Sequence, residues 1–383
     1  MMRMTLVKSF RKIGNHFLIV IVSLLIASCS DSNTAPYDWK LRKDFPEPQV
    51  PLNNPMTQAK VELGRHIFYD KNLSANRQQS CASCHNQQYA FAEPLSTSTG
   101  STGTILRRNS PALVNIAYNK TLTWAHDGLK TIERQLLIPM FSEDPVELGI
   151  TGNENEVLNR FKTPEYAYLF DEAFPGQTIS FDLINKSLAS FVRSLISLES
   201  AFDRYAYDGD DNALSESALR GMTLFFSEKL ECHHCHGGFN FTQSTTHEKQ
   251  LLDRRPFHNT GLYNVDSDGG YPKKDKGLAE ITQNPNDDGR FRSPTLRNVR
   301  LSAPYMHDGS IATLEEVIDF YAAGGRNITE GKFLGDGRLN PHKNAFIKGF
   351  EISETEKADL IAFLDALTDQ EFLNNPSHSA PNE

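Results

Sequence analysis

Two short segments hold residues whose types and spacing do chemistry: Cys81-Ala82-Ser83-Cys84-His85 and Cys232-His233-His234-Cys235-His236. Each C-x-x-C-H segment supplies two thiols for thioether bonds to haem vinyl groups, and the trailing histidine falls where its imidazole ligates the iron from the proximal side. Cys81, Cys84, Cys232 and Cys235 therefore read as attachment points for two haem c groups, with His85 and His236 as iron ligands. A zinc site would also use four thiolates, but Cys232 follows Cys81 by 151 positions, against roughly 15–20 in a zinc ribbon, and zinc does not require the histidines. A thioredoxin-like pair would sit in a βαβ setting, which neither flank shows.

The elements that position these segments are written twice. Gly64-Arg65-His66-Ile67-Phe68 precedes the first site and Gly221-Met222-Thr223-Leu224-Phe225 the second. Ser110-Pro111-Ala112-Leu113-Val114-Asn115-Ile116 answers Ser293-Pro294-Thr295-Leu296-Arg297-Asn298-Val299, and His126-Asp127-Gly128 answers His307-Asp308-Gly309. Leu188 to Leu195 then matches Leu360 to Leu367, so four blocks recur in one order and indicate two copies of one haem domain. Leu183, Ile184, Leu188, Phe191, Val192, Leu195 and Ile196 form one apolar helical stripe. Ser353 with Glu356 reads as a capping box opening the matching helix of the second copy. No sustained period-2 pattern appears elsewhere, and Asp208-Gly209-Asp210-Asp211-Asn212 is the natural seam. The Gly/Asp/Asn/Pro-rich stretch from Asp266 to Gly289 reads as a loop, either ordered or mobile.

The chain has 383 residues, 23% of them charged and 39% hydrophobic, and a net charge of −9. These values fit two soluble domains and exclude a multi-span membrane protein or a disordered chain. The acidic balance and the lack of a basic stripe argue against nucleic-acid binding. The fifth cysteine, Cys29, follows Lys8, Arg11, Lys12 and an apolar run from Phe17 to Ala27, too short for the ~17 residues of a spanning helix. Ile26-Ala27-Ser28-Cys29 resembles the lipobox of bacterial lipoproteins, with a plain signal peptide as the alternative. Residues 1–28 are then a leader whose loss, with four cations, takes the charge from −9 to −13. Residues 29–55, rich in proline, read as a tether. Residues 56–207 and 208–375 follow as the two haem domains and 376–383 as a tail.

The chain resembles the bacterial di-haem cytochrome c peroxidases and their relative MauG, the methylamine-utilisation enzyme. The likeness runs from about Leu63 to Asp369 and rests on Ser80 to Asn86, Arg108-Asn109-Ser110-Pro111, Phe257 to Leu262, Thr295 to Val299, Ala303 to Ser310 and Phe363 to Thr368. It implies a mainly α fold of two tandem cytochrome c-like domains, each with one covalently bound haem c. The N-terminal haem is then the peroxide site and the C-terminal haem the electron relay.

Counting from Thr131 and Thr313, the eighth residue onward is Pro139 in the first copy and Tyr321 in the second. A phenolate ligates ferric iron, whereas a proline side chain has no donor atom. The second iron is then six-coordinate through His236 and Tyr321, and the first keeps an open position. Met306 is the alternative ligand, and packing of Tyr321 with Phe320 the alternative role. The classical peroxidases place a methionine where MauG has tyrosine. The resemblance further implies Gln135 and Glu147 as the groups that orient peroxide and move its proton, Glu143 being the competitor because Glu147 lies two residues further from Pro139 than is usual. It also implies calcium between the domains, on the Asn109 side chain and the carbonyls of Arg292 and Pro294, with turn capping as the other role for Asn109. The family's inter-haem tryptophan position is His126 here, with Trp124 two residues earlier.

Hydrogen peroxide is the expected oxidant and a small redox protein such as cytochrome c the donor, in the periplasm or envelope of a Gram-negative bacterium, with membrane attachment through the lipid anchor only. A homodimer is compatible with this reading. The rivals are a MauG-like oxidase that modifies aromatic residues of a partner protein through a high-valent di-haem state, and a di-haem electron carrier. His233 and His234 read as exposed loop residues; His66, His258 and His342 read as packing or surface residues, and His126 with His307 as a shared structural hydrogen bond. Classical peroxidases carry a histidine that blocks the resting peroxide haem, but no histidine lies between Asn86 and Asn109. The as-isolated ferric protein is therefore expected to give a high-spin EPR signal from the first haem, and two low-spin signals alone would contradict this.

Overall fold

The computed structural model describes residues 35–43, 45–247 and 257–381, so Cys29 and the expected leader lie outside the described residues. Thr57 accepts a hydrogen bond from the Lys60 amide and opens the Gln58–Tyr69 helix, and Ser180 likewise opens Phe181–Ser194, which carries the apolar stripe. These two helices pack on each other in the first copy. In the second copy the pair is Glu216–Phe225 and Glu354–Asp365, the latter opened by the Ser353/Glu356 capping box.

Both pairs cross at a glycine. A Cβ on Gly64 would lie 2.0 Å from the Ser187 carbonyl oxygen and 2.9 Å from the Phe191 Cβ. On Gly221 it would lie 1.9 Å from the Asp359 oxygen and 2.9 Å from the Phe363 Cβ. Only hydrogen at these positions allows the backbones to meet. Below each crossing sits the same aromatic trio. Phe68 lies 5.0 Å from Phe191 and 5.9 Å from Phe91, and Phe225 lies 5.2 Å from Phe363 and 5.9 Å from Phe241, all six rings being buried.

The duplication extends to backbone detail. Asn115 and Asn298 both take positive φ, at 55° and 58°, and donate their amides to the carbonyls of Leu195 and Leu367. Their side-chain oxygens accept from the amides of Ser197 and Asp369 at 2.7 and 2.8 Å. The copies join through buried polar contacts, among them Asn115 Nδ2 to Asn240 Oδ1 at 3.0 Å.

Helix Ala201–Asp208 ends at Gly209, φ 71°, at the expected seam. Its Phe202 belongs to the second core, and its Asp203 forms a fully buried ion pair with Arg297 at 2.7 and 2.8 Å. Residues 36–55, expected as a tether, instead strap the body. Arg42 binds Asp208 and Glu199 at 2.7 and 2.9 Å, the Pro46 carbonyl accepts from Tyr118, and fully buried Asn54 donates to Glu133 at 2.9 Å. The expected tail also docks. Within 376–383 the His378 and Ser379 carbonyls accept from Tyr69 and Arg65, and just before it helix Gln370–Asn374, expected as the end of the second domain, returns to the first core with Phe372 5.7 Å from Phe91.

Among the described residues there are four strands of two or three residues in two antiparallel pairs. One aligns Phe257 with Arg292. Such strands are too short for alternation to appear in sequence. The loop from Asp266 to Gly289 packs against the body, with buried Tyr271 and an Arg108–Asp275 bidentate pair at 2.6 and 2.8 Å. Among the described residues no helix is long and apolar enough to cross a membrane. Gly64→Ala should lower stability by roughly 1–3 kcal/mol through overpacking, read by chemical denaturation of the haem-loaded protein, and a change below about 0.5 kcal/mol would contradict the close crossing.

Candidate haem centres

Each C-x-x-C-H segment forms one helical turn, Cys81–Cys84 and His233–His236. Cys81 packs against the first core and Cys232 against the second, which separates the pairs into two sites rather than one tetrathiolate. All four thiols are free, and burial pushes Cys81 and Cys232 up to about 12 and Cys84 and Cys235 up to about 11.

His85 places Nδ1 2.8 Å from the Phe91 carbonyl, and His236 places Nδ1 3.2 Å from that of Phe241. Phe91 and Phe241 both adopt the left-handed region, at φ 59° and 48°, and this turns their carbonyls toward the imidazoles. Carbonyls of Pro111 and Pro294 provide matching second acceptors, the latter at 3.1 Å. An Nδ1–H donated to a carbonyl fixes the tautomer and leaves the Nε2 lone pair for a metal. Burial lowers both imidazole pKa values, His236 to about 4, so each ring is neutral as a ligand must be.

Beside His236 opens an apolar cavity of about 230 Å³ lined by Cys232, Cys235, Met306, Arg292 and Tyr321 among others. Tyr321 comes from the Leu314–Ala322 helix, and among the described residues nothing hydrogen-bonds its hydroxyl. Burial, followed by the nearby Cys235 and Cys232 thiols, raises its pKa. Met306 faces the same cavity, so both candidate ligands are present. Arg292 donates Nε to the Thr123 carbonyl at 2.8 Å, and burial lowers its pKa to about 10. No carboxylate among the described residues pairs with it. A buried cation and an unpartnered phenol facing an apolar cavity fit haem, which brings carboxylates and an iron.

At the first site the corresponding helix is broken into Ile132–Gln135 and Leu137–Phe141, with Pro139 in the second piece. The following loop folds back on it, since the Leu148 amide donates to the Pro139 carbonyl at 2.9 Å and the Ile150 amide to that of Met140 at 3.1 Å. Glu147 is thereby held next to Pro139, and its carbonyl accepts from the Ser101 amide at 2.7 Å. Its carboxyl is half-buried, acts electrostatically on Cys81 and Cys84, and is pushed up to about 7 by burial. Glu143 is exposed, and Gln135 is half-buried at the end of its short helix.

Trp124 is buried against the second cavity, and its indole N–H donates to the Asn109 carbonyl at 2.7 Å. Two residues on, Pro111 offers its carbonyl to His85, so the 109–111 segment spans from one site to the other. Asn109 donates Nδ2 to the Leu95 carbonyl at 3.0 Å, leaving its Oδ1 as the free acceptor, while the Pro294 carbonyl is shared with His236. His126 and His307 are not equivalent. The first caps its own turn through Gly128 N at 3.0 Å, whereas buried His307 stacks on Phe291 at 3.6 Å.

Three features were not read from sequence: the left-handed phenylalanines, the Arg292 side chain, and Glu93. The last is 3% exposed beside Cys84 and accepts from Ser110 at 2.6 Å and from Ser98.

A family model described as di-haem cytochrome c peroxidase matches residues 58–212. Cytochrome-c peroxidase IdrP1 of Pseudomonas sp. (strain SCT) is 33% identical over 95% of this chain and 95% of its own. Methylamine utilization protein MauG of Methylorubrum extorquens is 32% identical over 89% of this chain and 90% of its own. Among solved structures, a MauG-like protein associated with microbial copper homeostasis is 45% identical, with TM-score 0.87, over 90% of this chain and 99% of that one.

The raised Glu147 pKa has a signed consequence. Its proton-accepting carboxylate is the minor form below pH 7, so a peroxide step that needs this base should speed up as pH rises through about 7. Glu147→Gln should abolish that dependence and slow the step by roughly 10²–10⁴-fold, and a flat stopped-flow profile in the unsubstituted protein would contradict the assignment.

Proposed function

Because the chain belongs to the di-haem cytochrome c peroxidase family, a group of oxidoreductases that includes MauG, we propose that it reduces hydrogen peroxide to water on the His85 side with electrons delivered on the His236 side. The balance is one peroxide, two electrons and two protons to two waters. When bound, the two haems supply one-electron redox chemistry and, on the His85 side, a position for peroxide. His85 and His236 would hold the two irons through Nε2, with the cysteine thiols as covalent tethers. On the first site's distal side, Pro139 offers no donor and leaves room for substrate. Glu147 takes the proton from the near peroxide oxygen and returns it to the departing one, and Gln135 orients the peroxide by hydrogen bonding. Tyr321 would supply a second iron ligand at the His236 site, which would confine substrate to the first.

The observation that carries this reading is the contrast between the two corresponding helices. One is interrupted by Pro139 with a half-buried carboxyl near pKa 7 held beside it, and the other is continuous and aims an unpartnered phenol into a cavity. Trp124 and the 109–111 segment are the proposed route between the sites, supported by the Trp124–Asn109 hydrogen bond.

Tyr321 also favours a second reading, in which the electrons come from aromatic side chains of a partner protein, as in a MauG-like oxidase. The 45% identity to a MauG-like structure supports it. Calcium on Asn109 Oδ1 and the Arg292 and Pro294 carbonyls, and export to the periplasm with lipidation at Cys29, complete the proposal. Intact-mass and metal analysis of protein from the native membrane fraction should find an acylated Cys29 and one calcium per chain, and an unmodified, calcium-free chain would remove both.

Stopped-flow mixing of the diferric protein with peroxide, followed by addition of reduced cytochrome c, tests the function. Peroxide loss coupled to cytochrome oxidation is expected. A direct reaction that leaves a long-lived oxidised spectrum and ignores cytochrome c would favour partner oxidation. No reaction in either redox state would leave an electron carrier.

A further inference from the structure

The variable positions of the second attachment loop are two histidines, and they do not project freely into solvent. His233 and His234 are half-buried, with ring centroids 4.2 Å apart, and His234 stacks on Phe346 at 4.1 Å. We propose that Glu228, Glu231, His233 and His234 bind one divalent d-block cation of the zinc, nickel or copper(II) class. Glu228 places its carboxylate oxygens 3.8 Å from His233 Nε2 and 3.6 Å from His234 Nε2. One ligand atom from each of these three residues falls within 4.8 Å of the others.

Glu231 supplies a second, independent observation. It is 9% exposed, and Lys348 holds its Oε1 at 3.0 Å. Its Oε2 lies 2.7 Å from His234 Nε2, but the contact fails hydrogen-bond geometry. Glu231 Oε2, His234 Nε2 and His233 Nδ1 are all buried without a hydrogen-bond partner. Glu231 Oε2 and His234 Nε2 face each other at ion-pair distance without a well-formed hydrogen bond, and a cation bound between them would take up both lone pairs. Glu231 also adopts φ 58°, a strained conformation for a non-glycine residue, of the kind that clusters at ligand sites.

The donor set selects the ion. Two imidazoles and two carboxylates suit zinc, nickel or copper(II), whereas calcium and magnesium prefer oxygen alone. Tetrahedral bonds of about 2.0–2.2 Å bring ligand atoms to roughly 3.2–3.6 Å of one another, so the observed Glu228 separations need only small side-chain movements. Such a cation would sit on the turn that carries Cys232, Cys235 and His236, away from the peroxide site.

Calorimetric titration of the tag-free, haem-loaded protein with Zn²⁺ tests the proposal. One equivalent should bind, and affinity should fall at least about tenfold in Glu228→Gln and in His234→Ala. Glu228 is exposed and His234→Ala preserves the C-x-x-C-H pattern, so absorption spectra should show two haems in each variant. Should either variant lose haem, the other still decides. Absence of Zn²⁺ binding at millimolar concentration, or binding of equal strength in a variant that retains both haems, would overturn the site.

Discussion

Each candidate haem centre depends on the carbonyl of a phenylalanine held in the left-handed region, which faces the Nδ1 of His85 or His236 together with a proline carbonyl. Such a backbone costs of order 1–3 kcal/mol and persists only where surrounding structure over-determines it. Here Phe91 and Phe241 are fully buried, each in a trio with a ring from the helix before the haem site and one from the helix near the end of the copy. Those helices approach closely enough because Gly64 and Gly221 present no Cβ. A glycine at a helix crossing thus reaches the candidate ligand histidine through two phenylalanines and one carbonyl. The same chain of contacts recurs in both copies, and this is the structural meaning of the repeat.

On two such similar supports, differences in chemistry must come from the distal side. The second copy keeps an intact helix and turns Tyr321 into an apolar cavity, where a buried polar group without a partner costs about 1–3 kcal/mol. Arg292 adds a buried cation to the same cavity. Both costs are offset when a group with carboxylates and an iron fills the space. The first copy gives up the helix at Pro139 and instead folds the 142–150 loop back, which brings a carboxyl rather than a ligand near the haem position. The proposed division into a closed and an open site therefore rests on one position of a repeated helix, proline in one copy and tyrosine in the other.

Much of this was legible in the sequence because it is local. The haem segments, the ordered repeat, the helix stripe at 183–196, the Ser353 capping box and the Pro139–Tyr321 contrast are all stated by residue type and spacing. The left-handed phenylalanines carry no such signature, since the conformation is imposed by packing and phenylalanine does not prefer it. The segment at 36–55 straps the body although its composition reads as a tether, and His378 and Ser379, in the expected tail at 376–383, dock on the first copy. Prolines and polar residues look alike in a linker and in a strap, and only distant partners such as Asp208, Tyr118 and Phe91 distinguish them. Glu93 was passed over because an isolated acid in a loop reads as surface until Ser98 and Ser110 are seen around it.

The proposed division of labour requires Tyr321 to close the second haem while the first stays open. Resonance Raman and EPR spectra of Tyr321→Phe beside the unsubstituted ferric protein test it most directly. Loss of the low-spin signal and gain of a second high-spin haem, with the first haem's signal unchanged, is the predicted result. A low-spin signal that survives the substitution unaltered would contradict it.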